Sequence, residues 1–237
     1  MIKDDYHTIK DTEFVIQCKA TPNQIILIEN FPNNDQLLDT FLAPLGTPIQ
    51  ESRNQDEGSI FQVTVQNIKG CFTSYATSNL FFPVHTDGSD FKIPPAYVAM
   101  YCVKPSQEGG ESLFISLPDL ITHLPEELID ILSTKMWTFN TVKRTILSQT
   151  ATGFSICYNR LIMESYSELT KQELDLLDQL DRVCEAHTFC VKLKENDLII
   201  FRNDLFLHGR TGFPLNSNRL LKRIRFRENT LLSERNS

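Results

Sequence analysis

Two short segments, far apart in the sequence, carry the side chains best suited to holding a metal ion. The first is Phe81-Phe82-Pro83-Val84-His85-Thr86-Asp87-Gly88. In extended backbone, residues two apart project to the same side. His85 and Asp87 can therefore reach one ion while Thr86 points away. A His-x-Asp pair alone is frequent by chance and suits a polar strand end or loop equally well. The second segment is Asn203-Asp204-Leu205-Phe206-Leu207-His208-Gly209-Arg210. His208 follows an apolar stretch, where a barrel strand would deliver it to an interior site. Two histidines and one carboxylate make a facial triad that leaves three positions open on one side of Fe(II). Two of these can take a bidentate 2-oxo acid, and the third O₂. Zinc favours a fourth protein ligand or a single water. The set therefore points to iron, with manganese, cobalt or nickel as inert substitutes.

A third segment, Arg219-Leu220-Leu221-Lys222-Arg223-Ile224-Arg225-Phe226-Arg227, begins 11 residues after His208. That leaves room for a turn and a return strand. Its odd positions are nearly all Arg, with Ile224 and Phe226 on the other face. A buried Arg219 can grip a carboxylate through two parallel hydrogen bonds, which Lys cannot imitate. Arg225 and Arg227 read instead as basic residues solvating a surface.

These segments resemble the taurine dioxygenase and clavaminate synthase-like group of Fe(II)/2-oxoglutarate-dependent oxygenases. The matching stretches are HTDGSDFKIPPAYVAMYCVKPSQEGGESLFIS from His85 and DLIIFRNDLFLHGRTGFPLNSNRLLKRIRFR from Asp197. FPNNDQLLDTFLAPLGTPIQ more weakly resembles the group's N-terminal helix and turn. His-x-Asp, then Gly-Gly-x-Ser, then His-Gly-Arg-Thr and an Arg-rich strand form a specific order and spacing. The resemblance implies a double-stranded β-helix (a cupin-like jelly roll), mainly β with flanking helices, with iron on His85, Asp87 and His208. Arg219 matches the arginine on the distal carboxylate of 2-oxoglutarate, and Ser112 the hydroxyl assisting it. Arg223 matches a second arginine near the co-substrate or a substrate acid group. Arg210 falls in a His-x-Arg pattern of less uniform role and is placed on the substrate side. No lid residue carries over, because the chain is short in its middle segment.

The implied activity uses Fe(II), 2-oxoglutarate and O₂, couples decarboxylation of 2-oxoglutarate to succinate, and oxidises a small-molecule substrate. Halogenating relatives replace the carboxylate ligand with a small residue. Asp87 is retained, so hydroxylation leads, with desaturation or ring formation as alternatives. No catalytic residue is expected beyond the metal and co-substrate ligands. If 2-oxoglutarate leaves Arg223 free, a carboxylate- or amino-acid-like substrate follows. Phe82 and Phe91 are candidate apolar walls and Asn79 a polar anchor; each fits ordinary core or loop as well. Tyr158-Asn159-Arg160 lies in a strand-like run that can face the site. His7, His123 and His187 read as surface or structural, and Trp137 as packing. Two readings compete: a cupin-type metalloenzyme without 2-oxoglutarate, with no use for Ser112 or Arg219, and a metal-bound sensor or binding module without turnover.

The bulk properties agree. A chain of 237 residues is within reach of one all-β domain, so residues 1–237 are expected to form one unit. Its net charge of −7 argues against a sequence-independent grip on nucleic acid or anionic lipid. No apolar run approaches the roughly 20 residues of a membrane span. The acidic start, MIKDDYHTIKDTEF, has no secretory layout, so a cytoplasmic location is expected. Six cysteines without a C-x-x-C pair read as reduced thiols. Oligomeric state is left open.

Patterning places strands at Ile25–Ile28, Ile60–Val65, Tyr97–Val103, Ser112–Ile115, His187–Leu193, Leu198–Arg202 and Arg219–Arg227. Helices are expected over QLLDTFLAPLG, Pro125–Leu132 and about Thr170–Ala186. Many short strands and few helices suit a barrel or jelly roll.

Overall fold

The structure, a computed structural model, describes residues 24–50, 58–66 and 74–228, together with the backbone of 6–9. Its first half holds β1 (Tyr6–Ile9), β2 (Ile25–Ile28), α1 (Asp35–Leu42), β3 (Thr47–Pro48), β4 (Phe61–Val63), β5 (Phe82–His85) and β6 (Tyr97–Lys104). There follow β7 (Ser112–Ser116), α2 (Leu117–His123), α3 (Glu126–Thr134), β8 (Trp137–Phe139), β9 (Val142–Arg144), β10 (Leu147–Thr150) and β11 (Gly153–Ile156). The last part comprises α4 (Arg160–Tyr166), α5 (Lys171–His187), β12 (Phe189–Val191), β13 (Leu198–Arg202), β14 (Phe206–Arg210) and β15 (Leu220–Arg227).

The larger sheet runs β1-β2-β13-β6-β15-β3, with β4 also on β15, and the smaller runs β12-β7-β14-β5. Alternation along each strand sends every second side chain to one face. Val98, Met100, Ile199, Phe201 and Leu221 of the larger sheet share a core with Phe114, Val191 and Phe206 of the smaller. The larger sheet's other face, with Tyr97, Tyr101, Ile224 and Phe226, is covered by Leu38 and Leu42 of α1. The smaller sheet's other face, with Leu113, Ile115 and Leu207, packs on Leu120, Leu132, Leu177 and Leu180 of the helices. Both sheets are therefore covered on both sides, and β14 is buried throughout.

Several expectations need correction. A helix, α2, follows β7 directly, because Ser116 caps it and accepts from the Asp119 amide. Helix α5 runs on through His187, so the expected strand there shrinks to Phe189–Val191. Ile60–Val65 is strand only over Phe61–Val63. Tyr158-Asn159-Arg160 is not strand: the Asn159 side chain caps α4 and Arg160 opens it. Trp137 is buried packing. His123 and His187 end their helices and stack on each other, centroids 3.6 Å apart. Cys102, Cys157, Cys184 and Cys190 are free thiols. Cys18 and Cys71, and the side chain of His7, lie outside the described residues. Among the described residues no helix is long and apolar enough to cross a membrane.

Candidate metal centre

Strands β5 and β14 pair antiparallel with His85 directly opposite His208. The register shifts between His208 and Arg210, and Gly209 sits at that irregularity. A Cβ there would stand 2.5 Å from the Phe82 carbonyl oxygen, so only glycine lets the strands approach this closely. The result is a pair of buried imidazoles with centroids 4.5 Å apart. Phe82 stacks on His85 at 4.0 Å, and Phe201 lies 4.8 Å from His208.

Burial lowers the pKa of both rings, that of His208 well below its ordinary value with His85 adding to the effect. Both are therefore neutral near pH 7, the form that ligates metals. His85 Nδ1 is 2.9 Å from the Pro83 carbonyl, which can only accept, so Nδ1 carries the proton and Nε2 has a free lone pair. His208 Nδ1 is buried with no hydrogen-bond partner among the described residues. A cation would satisfy such nitrogens, so this donor pair fits a metal.

Asp87 lies just past β5 and is 4% exposed. Its Oδ2 accepts from Arg223 Nη1 at 2.7 Å and its Oδ1 from Arg225 Nη1 at 3.3 Å. Burial opposes ionisation, but Arg223, Arg225 and the two histidines outweigh it and hold the carboxyl below its usual range. Its charge thus acts on both imidazoles, yet its oxygens are turned to guanidiniums. Among the described residues no three His, Cys, Asp or Glu side chains close on one point as a metal-holding group. The structure brings His85 and His208 together, with Asp87 beside them.

A cavity between the sheets opens onto both histidines and is also lined by Ser112, Arg210, Arg219 and Arg223. Arg219 is 4% exposed, and its guanidinium makes no hydrogen bond or ion pair among the described residues. Burial pushes its pKa down to about 10. It stacks over Phe213 at 5.3 Å and rests against Gly110, where a Cβ would come within 3.1 Å of it. Glu111 offsets part of the cost of that burial from a distance, but no anion touches the guanidinium among the described residues, and one in the cavity would relieve the remaining cost.

The other expected site residues fall differently. Arg210 lines the cavity, but its Nη2 donates to the carbonyls of Tyr75, Ser78 and Leu80 at 3.1, 2.8 and 2.8 Å. Arg223 lines it while bound to Asp87, so its charge is shared and not held in reserve for an acid. Phe82 lines it; Asn79 instead donates to the Phe213 carbonyl at 3.0 Å. Phe91 lies under Arg225, 4.7 Å from its guanidinium carbon. Arg225, read from sequence as a surface residue, is 6% exposed and bonded to the Asp87 carboxylate. Its signal was the spacing: two residues from Arg223, it shares that residue's face. Arg227 is exposed, as expected.

Among solved structures, the chain is similar to asparagine oxygenase in complex with Fe(II), 3-hydroxyasparagine and succinate. The TM-score is 0.74 at 13% identity, over 91% of this chain and 77% of that one. A taurine dioxygenase from Burkholderia xenovorans matches with TM-score 0.71 and 16% identity, over 93% and 83%. The non-haem iron oxygenase OrfP, solved with Fe, succinate and (3S)-hydroxy-L-Arg, matches with TM-score 0.74 and 14% identity, over 94% and 82%. At these identities the likeness is one of fold, mainly β with helices. No curated protein matches the sequence. The family model of the taurine catabolism dioxygenases matches residues 19–225, most of the chain. The chain belongs to the taurine catabolism dioxygenase TauD, TfdA family.

Proposed function

We propose that this protein is a single-domain, jelly-roll Fe(II)- and 2-oxoglutarate-dependent dioxygenase that hydroxylates a small amino-acid-like substrate. His85, His208 and Asp87 would hold the iron, with Asp87 sharing its carboxylate between the metal and Arg223 and Arg225. Arg219 would bind the distal carboxylate of 2-oxoglutarate, with Ser112 beside it on the cavity wall. When bound, Fe(II), 2-oxoglutarate and O₂ supply the oxidising power, with 2-oxoglutarate leaving as succinate and CO₂. The chain's own part is placement. Arg219 orients the co-substrate from the far end, Phe82 shields one face of His85, and the flanking core keeps water away.

One observation carries this reading: a buried guanidinium without a partner among the described residues opens on the same cavity as two neutral imidazoles. A metalloenzyme that uses no 2-oxo diacid has no need of it. The amino-acid-like substrate is supported by family membership and by the hydroxylated amino acids bound to asparagine oxygenase and OrfP.

Anaerobic titration with Fe(II) and 2-oxoglutarate tests the proposal. A weak visible charge-transfer band is expected in the wild type, with succinate released slowly in air. Arg219→Ala should weaken 2-oxoglutarate binding about 10- to 100-fold, matching the ~1.5–3 kcal/mol of a charged hydrogen bond. A wild type with no band would overturn the proposal.

A further inference from the structure

Asn203 sits at the bend between β13 and β14, five residues before His208, and is fully buried at 0% exposure. A buried carboxamide must spend its donors and acceptor locally, and this one spends them on the metal-side segment. Its Oδ1 accepts from the Asp87 amide at 2.9 Å, and its Nδ2 donates to the Asp87 carbonyl at 3.0 Å. The second Nδ2 proton goes to the Pro95 carbonyl at 2.9 Å, and the Asn203 amide donates to Ala96 at 2.9 Å. One side chain thus bonds both backbone polar groups of Asp87, as a neighbouring strand would. The bend that carries it is itself braced by a two-point Arg202–Asp204 pair, at 2.8 and 2.7 Å.

The rest of the segment has other anchors. Thr86 is tied to the chain after β11, giving its amide to the Tyr158 carbonyl at 2.6 Å and accepting from the Tyr158 amide at 3.0 Å. Arg223 and Arg225 hold the Asp87 carboxylate, not its backbone. Only Asn203, among the described residues, hydrogen-bonds the backbone of Asp87, and it does so from the bend that leads into β14. We infer that Asn203 is a positioning residue for the metal centre: it sets where the Asp87 carboxylate stands relative to His208. The inference rests on the proposed role of Asp87 as a ligand.

The test uses the full-length chain and Mn(II) alone, its binding followed by electron paramagnetic resonance at a temperature where every variant is folded. Asn203→Asp keeps the shape and the acceptor but loses both donors; Asn203→Ala loses all three bonds. Both should raise the Mn(II) Kd about 10- to 100-fold, the usual cost of removing an outer partner of a ligand. Leu132→Ala, in the helical core remote from the cavity, should lose thermal stability and keep the wild-type Kd. Wild-type Mn(II) affinity in the folded Asn203 variants, beside a weakened Asp87→Ala, would overturn this inference alone. If Asn203→Ala does not fold, Asn203→Asp decides it. Wild-type affinity in Asp87→Ala would instead overturn the ligand reading on which it rests.

Discussion

At the scale of single residues, the site is a set of buried charges whose partners define their jobs. Arg210 and Arg219 both lie against the ring of Phe213, 4.9 and 5.3 Å from its centroid, and burial lowers the pKa of both. Only their partners distinguish them. Arg210 spends its donors on the loop carbonyls of residues 75–80, whereas Arg219 has nothing to bind among the described residues. Arg210 is therefore a clamp on the segment leading into β5, and its loss should register as stability. Arg210→Met keeps the apolar stem and strands carbonyls that cost about 1–3 kcal/mol each when buried and unsatisfied. A clear fall in Tm is expected; an unchanged Tm with weakened substrate binding would return Arg210 to the substrate side. This distinction was not legible in the sequence. His85, Asp87, His208 and Arg219 stood out through residue type and spacing, but a partner contributed by a loop 130 residues away has no local signature. Asn203 was hidden for the same reason.

At the scale of elements, the best-read pieces are those whose end signals lie within a few residues. Helix α5 is the clearest: Thr170 and Glu173 form a reciprocal capping box. Glu173 also pairs with Lys135 at 2.8 Å, and these bonds pull its pKa down to about 2, Lys135 first and the Thr170 amide next. An acid whose folded pKa is depressed adds stability above its unfolded pKa of ~4.3. That stability fades as the pH falls from there through the folded value. Glu173→Gln should therefore lie below the wild type in Tm near pH 6, with the gap narrowing below about pH 4 and closing only below the folded pKa of about 2. An unchanged gap across that range would rule the cap's charge out. Thr170→Ala should cost about 0.5–2 kcal/mol near pH 6, and less once Glu173 is protonated, because its hydroxyl also donates to that carboxylate. Helix α2 carried a similar signature, Ser116-x-x-Asp119, but no break in apolarity separates it from β7, so strand and helix ran together. Strand β4 was read too long because alternation persists past the point where the ladder ends, and β12 was read to start too early because α5 runs on through His187.

At the scale of the whole molecule, the cavity belongs to both sheets at once. Met100, Leu221 and Arg223 line it from the larger sheet, and Ser112, His208 and Arg210 from the smaller. A ligand seated there bridges the two layers, so it should oppose global unfolding and not merely quiet a loop. The chain carries a net charge of −7, yet this interior point presents buried guanidinium to an incoming dianion. Buried charges are screened little by salt, so the attraction should survive physiological ionic strength. With Mn(II) present and 2-oxoglutarate at about 100 times its Kd, binding to the folded state alone is worth ~2.7 kcal/mol. For a protein of this size that corresponds to a Tm rise of about 5–10 °C. Glutarate, which keeps the distal carboxylate but lacks the 2-oxo group, should give a smaller rise at the same concentration. Arg219→Ala, with its 10- to 100-fold weaker binding, should cut the 2-oxoglutarate rise to about half or less. Equal shifts in the wild type and Arg219→Ala would mean that the dianion binds elsewhere, and that Arg219 answers to some other charge.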